Sequence, residues 1–301
     1  VMKDIITLTG LTKYYGKIRG IEDLSFSIRE GEIFGFIGPN GAGKSTTIRT
    51  LLNLIHPTRG ESRIFGLDPR KEYWKIARDV GYIPAEIYYY ENMRVRDLLA
   101  YSASFYPVDC RKRREELLEL LELDPGRHIR DLSLGNRKKV GILQGLQHQP
   151  KLLILDEPTS GLDPLMQNRF FQLIQEENAR GATVLFSSHI LSEVQRLSHR
   201  VGILKDGGLI RLEEMAALRR DTYKKVRLEG LSLSREALKS LSGLRNLEDP
   251  EGSGNVLTFL YQGEVPPLLE ALQGMALTDL LISEPDLEEI FLHYYDGEGP
   301  V

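Results

Sequence analysis

Gly38-Pro39-Asn40-Gly41-Ala42-Gly43-Lys44-Ser45 satisfies the pattern G-x-x-x-x-G-K-[ST], and its flanks supply the context that pattern requires. The short apolar run Glu32–Ile37 precedes it as a strand. Lys44–Leu54 follows as a helix, with Ile48, Leu51, Leu52 and Ile55 on one face. Glycines allow backbone N–H groups to turn inward around phosphate oxygens, a concavity that Cβ atoms would crowd. The helix N-terminus adds free N–H groups and a partial positive charge. Lys44 is placed to bridge β- and γ-phosphates, and the Ser45 hydroxyl to ligate Mg²⁺. The stretch predicts a nucleoside triphosphate site between a strand and a helix.

The surrounding sequence agrees with an α/β domain holding a largely parallel sheet. Ile5–Leu8 and Leu24–Ile28 read as early strands, the latter alternating Leu24, Phe26 and Ile28. His56-Pro57-Thr58-Arg59-Gly60 stops the helix after the loop. From Asn92 to Gln149 the pattern is mostly helical. Arg111–Glu122 pairs Arg111 with Glu115 and Lys112 with Glu116 at i,i+4. The basic run Arg111–Arg114 is either the solvated face of that helix or a nucleic-acid contact. Leu152–Leu155 and Thr183–Ser187 read as buried parallel strands, and Gly181 as the C′ residue ending the helix between them.

Leu152-Leu153-Ile154-Leu155-Asp156-Glu157 is an apolar strand ending in two carboxylates. In a Walker B arrangement, Asp156 holds Mg²⁺ through water and Glu157 polarises the attacking water as general base.

After Asp206-Gly207-Gly208 a charged helix is expected over Glu213–Asp221, and the pattern then changes. Strands are expected at Lys225–Leu228, Leu244–Glu248, Val256–Tyr261 and Leu277–Ile282, with helices at Arg235–Leu241, Pro267–Leu272 and Asp286–Tyr294. Ser283 and Asp286 have capping-box spacing, with Pro285 in the first turn. The order β-α-β-β-α-β-α suggests a small ferredoxin-like α+β domain.

Composition narrows the classes. Of 301 residues, 41% are hydrophobic and 27% charged, ordinary values for a folded soluble chain. A single cysteine, Cys110, excludes an intrachain disulfide framework. No apolar run is long enough to span a bilayer. Val1–Gly10 carries Lys3 and Asp4 without an apolar core, so it does not read as a secretory signal. The net charge of −4 hides an asymmetry: residues 223–301 hold 6 Lys+Arg against 14 Asp+Glu, a net of −8, leaving +4 for residues 1–222. That reversal marks a domain boundary and argues against a dedicated nucleic-acid binder.

Across about residues 4–215 the chain resembles the nucleotide-binding subunit of an ATP-binding cassette transporter. Leu132-Ser133-Leu134-Gly135-Asn136 is similar to the family's LSGGQ signature, upstream of the Walker B strand. Ser160-Gly161-Leu162-Asp163 matches the D-loop, and His189 in Ser187-Ser188-His189 the switch histidine. Tyr15 sits where the family stacks an aromatic ring on adenine. The resemblance implies a RecA-like P-loop core with a helical subdomain. Nucleotide contacts then fall to Tyr15 and to Gly38, Pro39, Asn40, Gly41, Ala42, Gly43, Lys44, Ser45 and Thr46. Ser133 and Gly135 cap the γ-phosphate held by a second copy, because the family closes two cassettes head-to-tail around two ATP molecules, and Asp163 of the D-loop counts among the nucleotide-binding residues. Catalysis falls to Glu157, His189 and Lys44, and Mg²⁺ to Ser45 and Asp156.

Two positions depart from the family pattern. Gly81-Tyr82-Ile83-Pro84 is followed by Ala85 where glutamine is usual, and Ala85 has no group to ligate Mg²⁺ or orient water. Glu86 is the candidate substitute. The signature carries Leu134 for glycine and Asn136 for glutamine, while Gly135 is retained. Ile87-Tyr88-Tyr89-Tyr90 lies where the family's membrane partner docks a short helix. It reads either as part of that socket or as packing within the helical subdomain.

The expected organisation is a cassette over residues 1–218, with its helical subdomain at about 86–150, and an acidic accessory or regulatory domain over 223–301. The expected function is a homodimeric ATPase, cytoplasmic and peripheral on the inner membrane face, that drives an exporter through an integral membrane permease on a separate chain. Two alternatives stand beside it: a soluble ATPase of this class acting on nucleic acid or ribosomes, and a regulatory ATP-binding module with weak hydrolysis.

Overall fold

Strands β1 (Asp4–Tyr15) and β2 (Ile18–Arg29) pair antiparallel, each extending well beyond the apolar centre that made it legible. The chain then enters β3 (Ile33–Ile37), buried at all five positions. Here a computed structural model describes residues 3–216, 223–231, 233–239, 241–250 and 252–283. Two compact units divide the chain, Val1–Glu214 and Met215–Val301.

In the first unit α1 (Lys44–Leu51) follows β3, and β4 (Arg59–Ile64) returns to pair with β1. Helix α1 stops before the predicted Leu54, because Asn53 turns into the left-handed region with φ 56°. Helix α2 (Pro69–Ala77) was not read from the sequence, although Asp68 accepts a hydrogen bond from the Arg70 N–H at 3.0 Å and Pro69 occupies the first turn. Then come β5 (Val80–Ile83), α3 (Val95–Ala103), α4 (Arg111–Leu120), α5 (Leu134–Leu146), β6 (Leu152–Asp156), α6 (Pro164–Ala179), β7 (Thr183–Ser188), α7 (Leu191–Leu197), β8 (Arg200–Lys205) and β9 (Gly208–Glu214).

Among the described residues a six-stranded sheet runs in the order β5-β6-β7-β3-β8-β9, parallel except for β9. Strands β3, β6 and β7 are buried throughout, which explains why they read as unbroken apolar runs rather than alternating ones. The charged helix expected from Glu213 does not begin there. Glu213 and Glu214 complete β9, paired with Val201 and Arg200. An edge strand exposes alternate side chains and tolerates charge that a helix would also accept, so the two patterns coincide. Residues 217–221 of that expected helix lie outside the described residues.

The second unit contains β10 (Tyr223–Gly230), α8 (Arg235–Lys239), β11 (Leu244–Glu248), β12 (Val256–Gln262), α9 (Val265–Ala271) and β13 (Leu277–Ser283). Its antiparallel sheet runs β11-β12-β10-β13 over a core of Val226, Leu228, Leu257, Phe259, Tyr261 and Leu268. This is the split β-α-β pairing of a ferredoxin-like unit. The expected helix 286–294 and its Ser283–Asp286 cap fall partly or wholly outside the described residues.

One close approach fixes where the helical segment meets the sheet. A Cβ on Gly81 of β5 would lie 2.1 Å from the Gly145 carbonyl oxygen of α5, 2.8 Å from Pro150 Cγ and 2.9 Å from Leu153 Cδ2. Backbone cannot yield as a flexible side-chain tip can. Gly81→Ala is therefore expected to destabilise the folded chain by about 1–3 kcal/mol, read from the urea midpoint by circular dichroism.

Candidate nucleotide-binding and hydrolysis site

Strand β3 ends at Ile37 and α1 begins at Lys44, so the glycine-rich loop spans the gap between them. Gly43 caps α1 at φ 104°, and a Cβ there would meet Ile21 Cγ2 at 2.6 Å and the Gly20 carbonyl oxygen at 2.7 Å. Only glycine fits both demands. The Lys44 ammonium is 4% exposed and donates to the carbonyl oxygens of Gly38 at 2.7 Å and Pro39 at 3.2 Å. Burial lowers its pKa, and the neighbouring Glu157 and Asp156 carboxylates oppose that shift. Tyr15 is half-exposed, with Lys13 Nζ 5.3 Å from its ring centroid. A Cβ at Gly20 would stand 2.9 Å from the Tyr15 ring and 3.1 Å from Thr46 Cγ2, so a bare backbone lets ring and helix start approach each other.

Parallel pairing carries the carboxylates to the same edge. Asp156 ends β6 almost fully buried, and its Oδ1 accepts from Ser45 Oγ at 3.2 Å and from Ser187 Oγ at 2.7 Å. Glu157 takes a left-handed backbone, φ 46°, uncommon for a residue with a Cβ. Its N–H donates to the Ser187 carbonyl oxygen at 3.1 Å and lies 3.2 Å from Ser187 Oγ. The Glu157 carboxylate then stands 3.6 Å from Lys44 Nζ and 3.3 Å from His189 Nδ1. Lys44, Ser45, Asp156, Glu157 and His189 thus form one cluster at the C-terminal edge of the sheet.

Ser133, Gly135 and Asp163 belong to a second cluster. Ser133 caps α5, accepting from the Asn136 N–H at 3.3 Å, and Asp163 caps α6, accepting from the Met166 N–H at 2.9 Å. The Gly161 carbonyl oxygen lies 3.2 Å from the Cβ position of Gly135, so signature and D-loop touch. Leu134, the departure from glycine, is 74% exposed and lies over Gly161.

Two residues of the first cluster's surroundings went unread in the sequence. Ser187 stands opposite Asp156 in the β6–β7 register, a relation visible only once the strands are paired. Lys138 of α5 is buried, and its ammonium donates to Pro84, Ala85 and Glu157 carbonyl oxygens. Its signal is helical phase: Gly141 and Gly145, three and seven residues on, share the face that meets the 81–89 segment. Glu86 is exposed and accepts a hydrogen bond from the Tyr88 hydroxyl at 3.0 Å. The aromatic run divides. Ile87 and Tyr89 pack on Gly141, while Tyr88 and Tyr90 are 87% and 63% exposed.

Residues 21–160 match the family model described as ABC transporter. The bacitracin transport ATP-binding protein of Bacillus licheniformis is 34% identical over 303 residues, covering 98% of this chain and 99% of that protein. An ATP-binding subunit of an ABC transporter is a structural neighbour at TM-score 0.68 and 31% identity, covering 72% of this chain and 92% of the other. A dimeric ATP-binding cassette in a post-hydrolysis state, bound to ADP and Pi, aligns at TM-score 0.64 and 27% identity, covering 70% of this chain and 98% of its own. Similarity that runs nearly end to end in one relative, and over 72% and 70% of this chain in two solved cassettes, makes this chain a member of the ATP-binding subunits of ATP-binding cassette transporters.

Proposed function

We propose that two copies of this chain close head-to-tail on two ATP molecules and hydrolyse them to drive an exporter whose permease is a separate membrane protein. The observation that carries this reading is the Glu157 carboxylate set between the Lys44 ammonium, 3.6 Å away, and His189 Nδ1, 3.3 Å away. In this reading Lys44 trades the Gly38 and Pro39 carbonyls for β- and γ-phosphate oxygens, Glu157 accepts the proton of the attacking water, and His189 holds Glu157 in line. Tyr15 stacks on adenine. Ser133 and Gly135, at the start of α5, serve the γ-phosphate bound by the other copy, with Asp163 at the start of α6.

Ser45 Oγ and Asp156 Oδ1, 3.2 Å apart, are a hydroxyl and a carboxylate, the hard oxygen donors Mg²⁺ selects. Those two oxygens would hold Mg²⁺, which would supply charge neutralisation at the phosphates. The serine behind Asp156 orients that carboxylate.

No helix among the described residues is long and apolar enough to cross a membrane, and the relative from Bacillus licheniformis is named for bacitracin transport. Both support a separate permease and a peripheral position on the cytoplasmic membrane face. A cavity of about 330 Å³ between α2, β5, α3 and α5 is the socket we assign to it, lined in part by Leu51, Tyr73, Ile76, Tyr82 and Tyr106. Tyr73 and the adjacent Trp74 are about half-exposed, the amphipathic rings that anchor helices in grooves. We assign residues 1–218 to the cassette, with 86–150 as its helical subdomain, and the acidic 223–301 to an accessory domain.

Glu157→Gln is expected to elute as an ATP-dependent dimer on size exclusion, and Lys44→Ala to lose Mg²⁺-dependent ATPase activity; elution indifferent to nucleotide would sink the sandwich. Ser187→Ala is expected to raise the Mg²⁺ concentration giving half-maximal activity about tenfold, read by metal titration at saturating ATP. The wild-type chain should co-purify with a polytopic membrane protein from detergent extracts. The double variant Tyr73→Glu, Trp74→Glu should lose that partner while keeping its own ATPase activity.

A further inference from the structure

Helix α5 is pressed onto β5 by the Gly81–Gly145 contact, and seven residues earlier on the same helical face lies Lys138. Its side chain is 4% exposed. A lysine ammonium has three N–H donors and no acceptor. Here each donor has a carbonyl: Pro84 at 2.9 Å, Ala85 at 3.1 Å and Glu157 at 3.2 Å. The three oxygens come from two chain segments. One leaves β5 and continues into exposed Tyr88 and Tyr90. The other is the turn after β6 that presents the Glu157 carboxylate.

The turn at Glu157 is the part of the site least able to hold itself. A left-handed φ of 46° costs a non-glycine residue free energy that surrounding bonds must offset. Its two peptide groups are pinned from opposite sides, the N–H by Ser187 and the carbonyl by Lys138. With both peptides fixed, the Cα–Cβ direction is fixed as well, and the carboxylate faces Lys44 and His189. Burial pulls the Lys138 pKa down to about 8, with the charges of Asp156 and Glu157 opposing that shift. No carboxylate is among its three hydrogen-bond acceptors, so the charge acts on backbone carbonyls.

We propose that Lys138 is a positioning residue for hydrolysis, and that its ammonium mechanically ties the 84–90 segment to the orientation of Glu157. Any displacement of Pro84 and Ala85, at the base of the exposed tyrosines, pulls on the same ammonium that holds the Glu157 carbonyl. Ala85 takes part through its backbone, so the small side chain there is no obstacle. The inference rests on Glu157 being the hydrolytic base, and it adds a residue through which the 84–90 segment, which follows Tyr82 of the proposed socket, reaches that base.

The test compares the full-length wild type with Lys138→Met, which fills the same volume without donors, and Lys138→Gln, which keeps two. Steady-state Mg·ATPase kinetics are measured beside amide hydrogen exchange of residues 85–90. Lys138→Met is expected to lower kcat about 10- to 100-fold with KM for ATP within twofold, and to raise exchange at 85–90. Lys138→Gln is expected to fall between, at a three- to fivefold loss in kcat. A Lys138→Met enzyme with wild-type kcat, or a loss in which KM rises in step and exchange at 85–90 stays unchanged, overturns the inference. Where Lys138→Met does not fold, Lys138→Gln decides: wild-type kcat together with wild-type exchange overturns it. A wild-type chain without ATPase activity is a different failure, that of the hydrolytic reading itself.

Discussion

Parallel strand register is the constraint on which everything chemical in this chain depends. Ile37 aligns with Ser188 and Asp156 with Ser187, so β3, β6 and β7 all end at one level. In a parallel sheet that level is where every connection leaves toward a helix, and where ligands are held. The loop after β3, the carboxylates ending β6 and the serine and histidine ending β7 come together for that reason alone. A one-residue slip of β7 would turn Ser187 to the opposite face and strip Asp156 of its shortest hydrogen bond.

Charge at this edge is arranged as two cations around two anions. Lys44 stands 3.6 Å in front of Glu157, and Lys138 holds the Glu157 backbone from behind. Both lysines are 4% exposed, and both spend their donors on carbonyl oxygens rather than pairing tightly with acids. A buried cation without acceptors would be costly to desolvate. Backbone carbonyls satisfy the ammonium groups while leaving the partly exposed Glu157 carboxylate without a tight ion pair.

Much of the site was legible because its chemistry is local in sequence. The loop from Gly38 to Ser45 and the strand-ending pair Asp156-Glu157 each declare themselves within a few residues. Ser187 did not, since its role exists only across the β6–β7 pairing. Lys138 and Lys139 look alike in sequence. Only the phase of α5 against Gly81 decides which is buried against carbonyls. In the fold, β3, β6 and β7 were plain as continuous apolar runs, whereas the parallel strands β5 and β8 and helix α2, with its Asp68-Pro69 start, were not read. The Ile87–Tyr90 cluster resisted a single reading because it does two things: Ile87 and Tyr89 pack on Gly141 while Tyr88 and Tyr90 are exposed.

The first two residues of the helix expected from Glu213 complete β9 in the six-stranded sheet, and the side chains of that strand have a consequence beyond the site. Among the described residues β9 is an end strand of that sheet, and the outer backbone groups of an end strand invite a strand from another molecule. Arg211, Glu213 and Glu214 put charge of both signs along it. A second molecule adding its own edge there would have to bury those charges between strands. The acidic residues that mimicked a helix therefore disfavour edge-to-edge pairing of this sheet with a second one.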